Sequence, residues 1–358
     1  MNRKALGVGI ATVLAAGVIS TSAFAGAVFG TNSQKGSLVI YPRIDIRPGW
    51  ATYIELTNDS TADQLLKCYY ASSDPMTTPF SGNARALKHY VDFTFPITHN
   101  QSVIWDAASG YAVYGSGKFQ GYVAPPFGVY YDGSTQRFTG ELKCWVIDAT
   151  TGVQKSWNHI FGGASIFQIA GNQGSQYSAW GFQAQYATGS LSATPGLLTL
   201  NNVDYDACPN MLLGEFIAND GTATGPQNTV TLASCNEDLR QNFTPTVTKL
   251  TWTFWNQDEA QRTSFHTCAD SWFEYIFPNN YSWVTGQGGL GTGHGYFRIE
   301  TTADTSYCAG AVTSAYVGVI HSSFGANYLR GTNLTGRGPA TGVIKYDVGP
   351  PDSFRPSN

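Results

Sequence analysis

The residues best suited to catalysis lie in one short run, in which Ser264, His266 and Asp270 are close together. A histidine that activates a serine and is oriented by a carboxylate is the arrangement of a hydrolase triad. Positions 264, 266, 268 and 270 share one face of a strand, whereas triads are normally gathered from separate loops. The pattern therefore favours a strand with a polar outer face anchored by Cys268. No G-x-S-x-G or H-E-x-x-H motif occurs, so we predict no catalytic residue and leave enzymatic activity open.

A cluster of oxygen-bearing side chains precedes Cys208 and comprises Asn201, Asn202, Asp204 and Asp206. Carboxylate and amide oxygens are the ligands that calcium prefers. The glycine and the distal glutamate of an EF-hand loop are missing, and an Asx-rich turn explains the same residues. We therefore predict no cofactor and no metal ligand, with calcium at this turn as the weaker alternative.

Aromatic side chains are the strongest candidates for ligand binding. The first group crowds a stretch rich in glycine and proline and comprises Tyr111, Tyr114, Tyr122, Phe127, Tyr130 and Tyr131. Aromatic rings stack on sugars and anchor protein interfaces, so this loop is the predicted binding site. A second group either does the same or fills the core, and it comprises Trp272, Phe273, Tyr275, Phe277, Tyr281 and Trp283.

The first 25 residues have the organisation of a secretory signal peptide. Arg3 and Lys4 give a positive start, residues 5–19 are uncharged and mostly apolar, and small residues at Ala23 and Ala25 precede Gly26. Cleavage before Gly26 would release a secreted chain. We therefore expect an extracellular, cell-surface or periplasmic location.

The cysteines support an oxidising compartment. There are six, an even number, and all follow the predicted cleavage site: Cys68, Cys144, Cys208, Cys235, Cys268 and Cys308. None forms a C-x-x-C pair, so three disulfides are favoured over zinc or thiol chemistry. Six cysteines allow 15 connectivities, and their spacing alone does not select one.

Charge and composition exclude several classes of partner. Only 12% of the residues are charged and the net charge is −4, with no cluster of lysine and arginine. Nucleic acids and anionic membranes are therefore poor partners. After residue 25 no apolar run reaches the length that a membrane span requires, so no transmembrane segment is expected in the mature chain.

Apolar and polar residues alternate along most of the chain, as is typical of half-buried strands. Strands are expected near 37–41, 52–57, 65–70, 91–97, 142–146, 164–169, 212–217, 229–233, 250–254, 296–301 and 315–321. Residues 256–263 are the main helical candidate. Many short strands separated by Gly, Asn and Asp turns predict antiparallel β-sandwiches, either immunoglobulin-like or jelly-roll-like.

A small, uncharged stretch at 187–196 divides the chain and is the predicted linker. The first sandwich domain is then expected at 26–186 and the second at 197–358. The two halves are weakly similar in the order of their strands and cysteines, which suggests an internal duplication. If the halves are duplicated, Cys68 pairs with Cys144 and Cys268 with Cys308, while the remaining two cysteines tie the opening hairpin of the second domain.

Short motifs resemble a loose group of uncharacterised secreted bacterial proteins. They lie at 36–43 (GSLVIYPR), 53–58 (YIELTN), 67–69 (KCY), 140–145 (GELKCW) and 177–182 (YSAWGF). The resemblance implies a secreted or cell-surface β-sandwich protein. The matching motifs include no known catalytic residue, so the resemblance predicts a location but no mechanism.

The expected function is therefore a structural or adhesive role at the cell surface or in the extracellular matrix. The alternative is a polysaccharide-binding module or glycan-acting hydrolase that uses the aromatic loop. The chain itself is a further expected partner, because the apolar strand at 37–41 could pair with the sheet edge of a neighbouring copy and build a homopolymer or surface lattice.

Overall fold

The computed structural model describes residues 30–72, 89–110, 112–114, 138–169, 171, 173–217, 227–240, 246–277, 294–324 and 328–349. The described residues form these strands: β1 Leu38–Asp45, β2 Trp50–Asn58, β3 Gln64–Ser72, β4 His89–Ile97, β5 Gln101–Asp106, β6 Ala112–Tyr114, β7 Thr139–Ile147, β8 Ile160–Gln168, β9 Gln173–Ser178, β10 Trp180–Phe182, β11 Leu197–Leu200, β12 Cys208–Ile217, β13 Gln227–Ser234, β14 Glu237–Asp238, β15 Val247–Asn256, β16 Gln261–Asp270, β17 Trp272–Ile276, β18 His294–Thr302, β19 Tyr316–Phe324, β20 Tyr328–Asn333, β21 Thr335–Ala340 and β22 Gly342–Lys345.

The strands form five small sheets. The first sheet has the order β10-β1-β7-β3-β4 and the second β6-β5-β2-β8-β9. The third is β16-β15-β18-β12-β21, the fourth β17-β13-β19-β20, and the fifth β11-β22-β14. All pairings are antiparallel except that of β14 with β22.

The prediction of two β-sandwich domains is wrong, although the chain is all-β as expected. The sheets are arranged as a five-bladed β-propeller of small sheets. Strands that are far apart in the chain share a blade, since the first sheet combines β1 with β10 and the fifth combines β11 with β22. Local alternation identifies strands but carries no information about which distant strands pair.

The first sheet shows most directly why the chain does not separate into two sandwiches. Every residue of β1 is buried, and so is nearly every residue of β7. One face of β1 contacts β8 in the second sheet, while the other contacts β13 and β19 in the fourth. A sandwich strand would have one solvated face, whereas this sheet is covered on both.

Two apolar clusters fill the interior. The first core comprises side chains of the first two sheets together with Val319, which lies on β19. The second core joins both halves of the chain, because Trp145 and Trp180 pack in the same cluster as Leu232 and Trp252. Residues on either side of the predicted linker therefore share one hydrophobic core.

Contacts of three tryptophans add to this joint core. The indole of Trp180 donates to the carbonyl of Gly318 at 3.2 Å, and that of Trp272 donates to the carbonyl of Pro42 at 2.7 Å. Trp145 packs against Tyr346 with ring centroids 4.8 Å apart. The 187–196 segment itself pairs with the first half, through an isolated bridge between Lys155 and Leu191. The boundaries predicted for the domains stay a prediction.

Most strand predictions from the sequence are confirmed. Each of the eleven predicted stretches overlaps an observed strand. The helix expected at 256–263 is wrong: the Asn256 side chain accepts hydrogen bonds from the amides of Asp258 and Ala260, at 3.1 and 2.9 Å, and Glu259 has a positive φ. This Asx turn reverses the chain, and β16 begins at Gln261.

The disulfide pairing predicted from the similar order of strands and cysteines in the two halves is confirmed. Cys68 bonds to Cys144 between β3 and β7, and two further bonds join Cys208 to Cys235 and Cys268 to Cys308. The Cys208–Cys235 bond does not tie a hairpin, because β12 and β13 belong to different sheets. It joins the third sheet to the fourth. Three disulfides fit an oxidising compartment.

We expect native protein to lose the Cys268–Cys308 bond first when treated with dithiothreitol. Thiol–disulfide exchange requires access to a sulfur, and Cys268 is exposed on β16 whereas Cys68 and Cys208 are completely buried. Alkylation during partial reduction, followed by peptide mapping, checks this order. Early labelling of Cys68 or Cys208 would contradict it.

The predicted signal peptide lies outside the described residues.

The strand expected at 37–41 is β1, which lies between β10 and β7, so both of its edges are occupied within its own chain. Residues before it are also paired, through bridges of Thr31 to Gly181 and of Gly36 to Ile160. β1 therefore offers no free edge for pairing with a neighbouring copy. Self-association by another route stays a prediction. No helix in the described ranges is long and apolar enough to cross a membrane.

Candidate functional site

The aromatic loop predicted as a binding site falls almost entirely outside the described residues. This applies to Tyr111, Tyr122, Phe127, Tyr130 and Tyr131. The backbone of Tyr114 lies in β6, where it pairs with Ile104 of β5. Ligand binding by this loop stays a prediction.

The second aromatic group belongs to the core where it is described. Trp252 on β15 is its centre, with Phe273, Tyr275 and Phe277 at ring-centroid distances of 6.5, 5.1 and 6.3 Å. Trp272 is also buried. The rings of Phe273, Tyr275 and Phe277 pack between the third and fourth sheets, whereas Trp272 contacts the first sheet. Tyr281 and Trp283 lie outside the described residues.

The Ser264–His266–Asp270 run lies on β16, at the edge of the third sheet. His266 Nδ1 lies 3.1 Å from the hydroxyl of Thr251 on the neighbouring strand, and the His266 ring packs against Tyr307. The histidine is therefore engaged across the sheet, as expected for a polar outer face, rather than along its own strand towards Ser264.

The oxygen cluster before Cys208 is a network of turns. Asn201 Oδ1 accepts from the amides of Val203 and Asp204, at 2.8 and 2.9 Å. Asp206 is buried, and its Oδ2 accepts from Gln34 Nε2 at 2.6 Å; burial raises its pKa. Amide donors therefore already occupy the side-chain oxygens of Asn201 and Asp206. Within the described part of the chain, no group of three His, Cys, Asp or Glu side chains is placed to hold a metal ion.

The most unusual chemical group in the interior is a lysine held between two glutamates. Lys143 and Glu141 lie on the same face of β7, and Glu237 approaches from β14. The exposed fractions are 0% for Lys143 and Glu141 and 2% for Glu237. Lys143 Nζ lies 2.5 Å from Glu141 Oε1 and donates a second hydrogen bond to Glu237 Oε2. We refer to these three residues as the buried Lys143 cluster.

Burial and mutual charge determine the protonation of this cluster. Desolvation raises the pKa of Glu141 well above its ordinary value, and the charge of Glu237 raises it further. Burial alone would lower the pKa of Lys143, but the two glutamates outweigh burial and raise it. Both shifts therefore favour the protonated forms of Glu141 and Lys143.

A second polar group lies where the first sheet contacts the fourth. The register of β1 shifts between Tyr41 and Ile44, and Arg43, which lies in this bulge, is buried. Its Nη2 donates to Asp45 Oδ2 at 3.0 Å and lies 3.8 Å from Glu274 Oε1 on β17. No described residue forms a hydrogen bond with its Nη1.

His321 on β19 is part of the same polar region. It is 2% exposed, and neither ring nitrogen has a hydrogen-bond partner among the residues that the structure describes. Its ring packs edge-on against Tyr177, with centroids 6.0 Å apart. Burial lowers the pKa of His321 well below its ordinary value, and the charge of Arg43 lowers it further. His321 is therefore neutral in the folded protein.

Two adjoining cavities form a groove on the outside of the molecule. Their volumes are about 470 and 580 Å³, and they share Thr332 and Asn333 on β20. Asn333 joins the second and fourth sheets at this point: its Nδ2 donates to the carbonyl of Ser178 at 2.7 Å, and its Oδ1 accepts from the amide of Ser178 at 3.1 Å. We call this feature the β9–β20 groove.

The polar lining of the β9–β20 groove consists mainly of amides and hydroxyls. These are Asn32, Gln176, Ser178, Ser322, Thr332, Asn333 and Thr335. Charges of both signs are present, on Glu55, Glu215 and Arg330, and Phe161 contributes an aromatic ring. Such a lining suits an uncharged ligand with many hydroxyl groups.

The buried Lys143 cluster was not predicted, because the alternation around 142–146 indicates a half-buried strand in which Glu141 and Lys143 would lie on the solvent face. A signal was present: the same face also carries Trp145 and Ile147, which are large apolar residues. For β1, the continuous apolar run from Leu38 to Tyr41 likewise indicates burial on both faces. Nothing in the sequence brings Glu237, or the pair of Arg43 and His321, to these positions.

Comparison with known protein families, with curated proteins and with solved structures finds no match to this chain.

Proposed function

We propose that the protein is an extracellular structural or adhesive protein that acts by binding rather than by catalysis. The second core carries this proposal, because it joins both halves of the chain into one packed interior. The Cys208–Cys235 disulfide lies in that core, and two further disulfides reinforce other parts of the scaffold. Such a scaffold resists dilution and proteases outside the cell and presents a fixed surface to a partner.

Expression of the full chain in a secreting host, followed by fractionation, tests the location. We expect the protein outside the cytosol, with its amino terminus at Gly26 and three disulfides. Beads coated with the purified protein should then be retained on cell-wall or matrix material, and sedimentation velocity would show any self-association. Cytosolic protein with free thiols, or beads that are not retained, would contradict the proposal.

A second candidate function is the binding of an uncharged polysaccharide, and the β9–β20 groove favours it. Amide and hydroxyl side chains recognise sugar hydroxyls through hydrogen bonds, while an aromatic ring packs on the apolar face of a sugar. Phe161 supplies such a ring at the Gln176 side of the groove. The sequence placed polysaccharide binding in the loop at 111–131, so the two sites are separable by mutation.

We expect Phe161→Ala to weaken binding of a neutral polysaccharide about tenfold, because one stacking contact of about 1.4 kcal/mol is lost. Phe167→Ala is a matched control: Phe167 lies on the same face of β8, is 42% exposed against 37% for Phe161, and is outside the groove. Affinity electrophoresis in gels containing soluble polysaccharides gives the measurement.

Equal retardation of the Phe161→Ala and Phe167→Ala variants would remove Phe161 from the binding site. Loss of binding in Tyr122→Ala instead would place the site in the loop at 111–131. No retardation of the unmodified protein by any polymer would contradict this second function and leave the structural role in place.

A further inference from the structure

The buried Lys143 cluster brings an amine and two carboxyl groups into contact in a site without exposed surface. Lys143 Nζ lies 2.5 Å from Glu141 Oε1 and donates a hydrogen bond to Glu237 Oε2. A carboxyl carbon lies only about 1.2 Å beyond its oxygen, so the amine is at the distance from which nucleophilic attack proceeds. The surroundings are apolar on the β7 side, where Trp145 is fully buried.

We propose that Lys143 and Glu237 become joined by a covalent amide bond between their side chains, with Glu141 as the proton-transfer group. The inference goes beyond the proposed function, since it concerns a modification within the scaffold and holds whatever the scaffold binds.

The reaction is a condensation that eliminates one water molecule. A proton first moves from Lys143 Nζ to Glu237, which gives a neutral amine and a neutral carboxylic acid. Nζ then attacks Cδ of Glu237, the bond from Cδ to the hydroxyl oxygen breaks, and protonated Glu141 gives its proton to the departing hydroxyl. Glu141 regains a proton from the nitrogen. Atoms balance, no group is oxidised or reduced, and no further reactant is needed.

Burial favours this product in two ways. The ammonium and the carboxylate are costly to keep in a dry interior, whereas an amide is neutral. The proton transfer that starts the reaction leaves the net charge of the cluster unchanged while removing both separate charges. Burial raises the pKa of Glu141, which favours the protonated form that this step requires, and Glu141 lies in hydrogen-bond contact with Lys143.

Topology selects Glu237 over Glu141 as the partner. Glu141 and Lys143 are two residues apart on one strand, about 7 Å along its axis, so an amide between them would join side chains that already share a rigid backbone. Glu237 lies 94 residues away in sequence, on β14 of the fifth sheet. An amide to Glu237 would lock the first sheet to the fifth and so join the two halves of the chain covalently.

Intact mass spectrometry of the purified mature protein tests the proposal. We expect a mass lower by one water molecule than that of the sequence with three disulfides. After reduction, alkylation and trypsin, we expect a branched peptide that joins the segments around Lys143 and Glu237, with no cleavage after Lys143. The full mass with linear peptides and normal cleavage at Lys143 would overturn the proposal.

Variants exclude other sources of water loss. Lys143→Met should restore the full mass, and a deficit that persists in this variant would overturn the proposal. Glu141→Gln should accumulate unlinked chains, and complete linkage in that variant would overturn the role given to Glu141. If Lys143→Met does not fold, the branched peptide in the unmodified protein still decides the question.

Discussion

We expect the substitution Lys143→Met to lower the free energy of unfolding by about 3–5 kcal/mol. Lys143 is completely buried between Glu141 and Glu237, and removal of the ammonium leaves two carboxyl groups in the interior without a cation. An uncompensated buried charge costs more than the pair itself contributes. Urea unfolding monitored by the fluorescence of the buried tryptophans gives the measurement.

Two further variants separate the possible causes of that loss. Lys35→Met removes a lysine that pairs with Asp59 at the surface, and we expect a change below about 1 kcal/mol there. The triple variant Glu141→Leu, Lys143→Met and Glu237→Leu replaces the cluster with apolar side chains and should recover most of the stability if the contacts are purely ionic. A deficit that persists in the triple variant would measure the covalent link. A Lys143→Met variant as stable as the unmodified protein would contradict the structural role of the cluster.

The elements that sequence reasoning predicts well are those determined by local patterns. Alternation gives strands such as the one at 250–254, which is part of β15, because the period of two is a property of a single strand. The disulfides also followed from the order of strands and cysteines. The assembly of strands into sheets did not, because β10 pairs with β1 across more than one hundred residues. No local pattern encodes that pairing.

The candidate sites show the same limit at the level of single residues. The alternation of Glu141 and Lys143 with apolar neighbours normally indicates a solvated face, and the interpretation failed because β7 lies inside a sheet covered on both sides. His321 ends a stretch correctly predicted as a strand, yet its burial depends on Arg43 and Tyr177 from other sheets. Residue type and spacing identify a group with chemistry, whereas its environment is a property of the tertiary fold.

The buried polar groups lie where sheets meet rather than within the apolar cores. The Lys143 cluster joins the first sheet to the fifth, and Arg43 contacts Glu274 where the first sheet meets the fourth. A group of apolar residues packs acceptably in several relative positions, while ion pairs and hydrogen bonds require one. We infer that these contacts fix how the sheets are placed against one another, which a protein with a fixed binding surface requires.

We expect protonation linked to His321 to lower the stability of the protein in mild acid. The pKa of His321 is well below its ordinary value in the folded protein, whereas in the unfolded chain it is about 6.5. Above that pH the histidine is neutral in both states and has no effect. As the pH falls below about 6.5 the unfolded chain binds a proton that the folded protein does not, so the free energy of unfolding falls by up to about 1.4 kcal/mol per pH unit.

The groups that face His321 support a fall in the free energy of unfolding as the pH is lowered. Arg43 from β1 carries a positive charge that opposes protonation, and Tyr177 from β9 offers the edge of its ring. Glu274 is engaged with Arg43 and Arg47. Aspartates with lowered pKa values, such as Asp45 and Asp304, lose their stabilising effect only below about pH 4. Glu141 and Asp206, whose pKa values are raised in the folded protein, bind protons more readily in the folded than in the unfolded state and act in the opposite direction. The contribution of His321 is therefore obtained as the difference between the unmodified protein and a variant without this histidine.

Urea unfolding at a series of pH values, compared between the unmodified protein and His321→Leu, tests this prediction. The variant should show a flatter dependence between pH 6.5 and 4.5. It should be at least as stable at pH 7, because within the described part of the chain neither ring nitrogen makes a hydrogen bond that leucine would lose. His159→Gln is the control: His159 is partly exposed, lies 3.0 Å from Asp59 and is remote from the Arg43–His321 contact, so the acid slope should remain in this variant. An unchanged slope in His321→Leu would show that the acid sensitivity has another source.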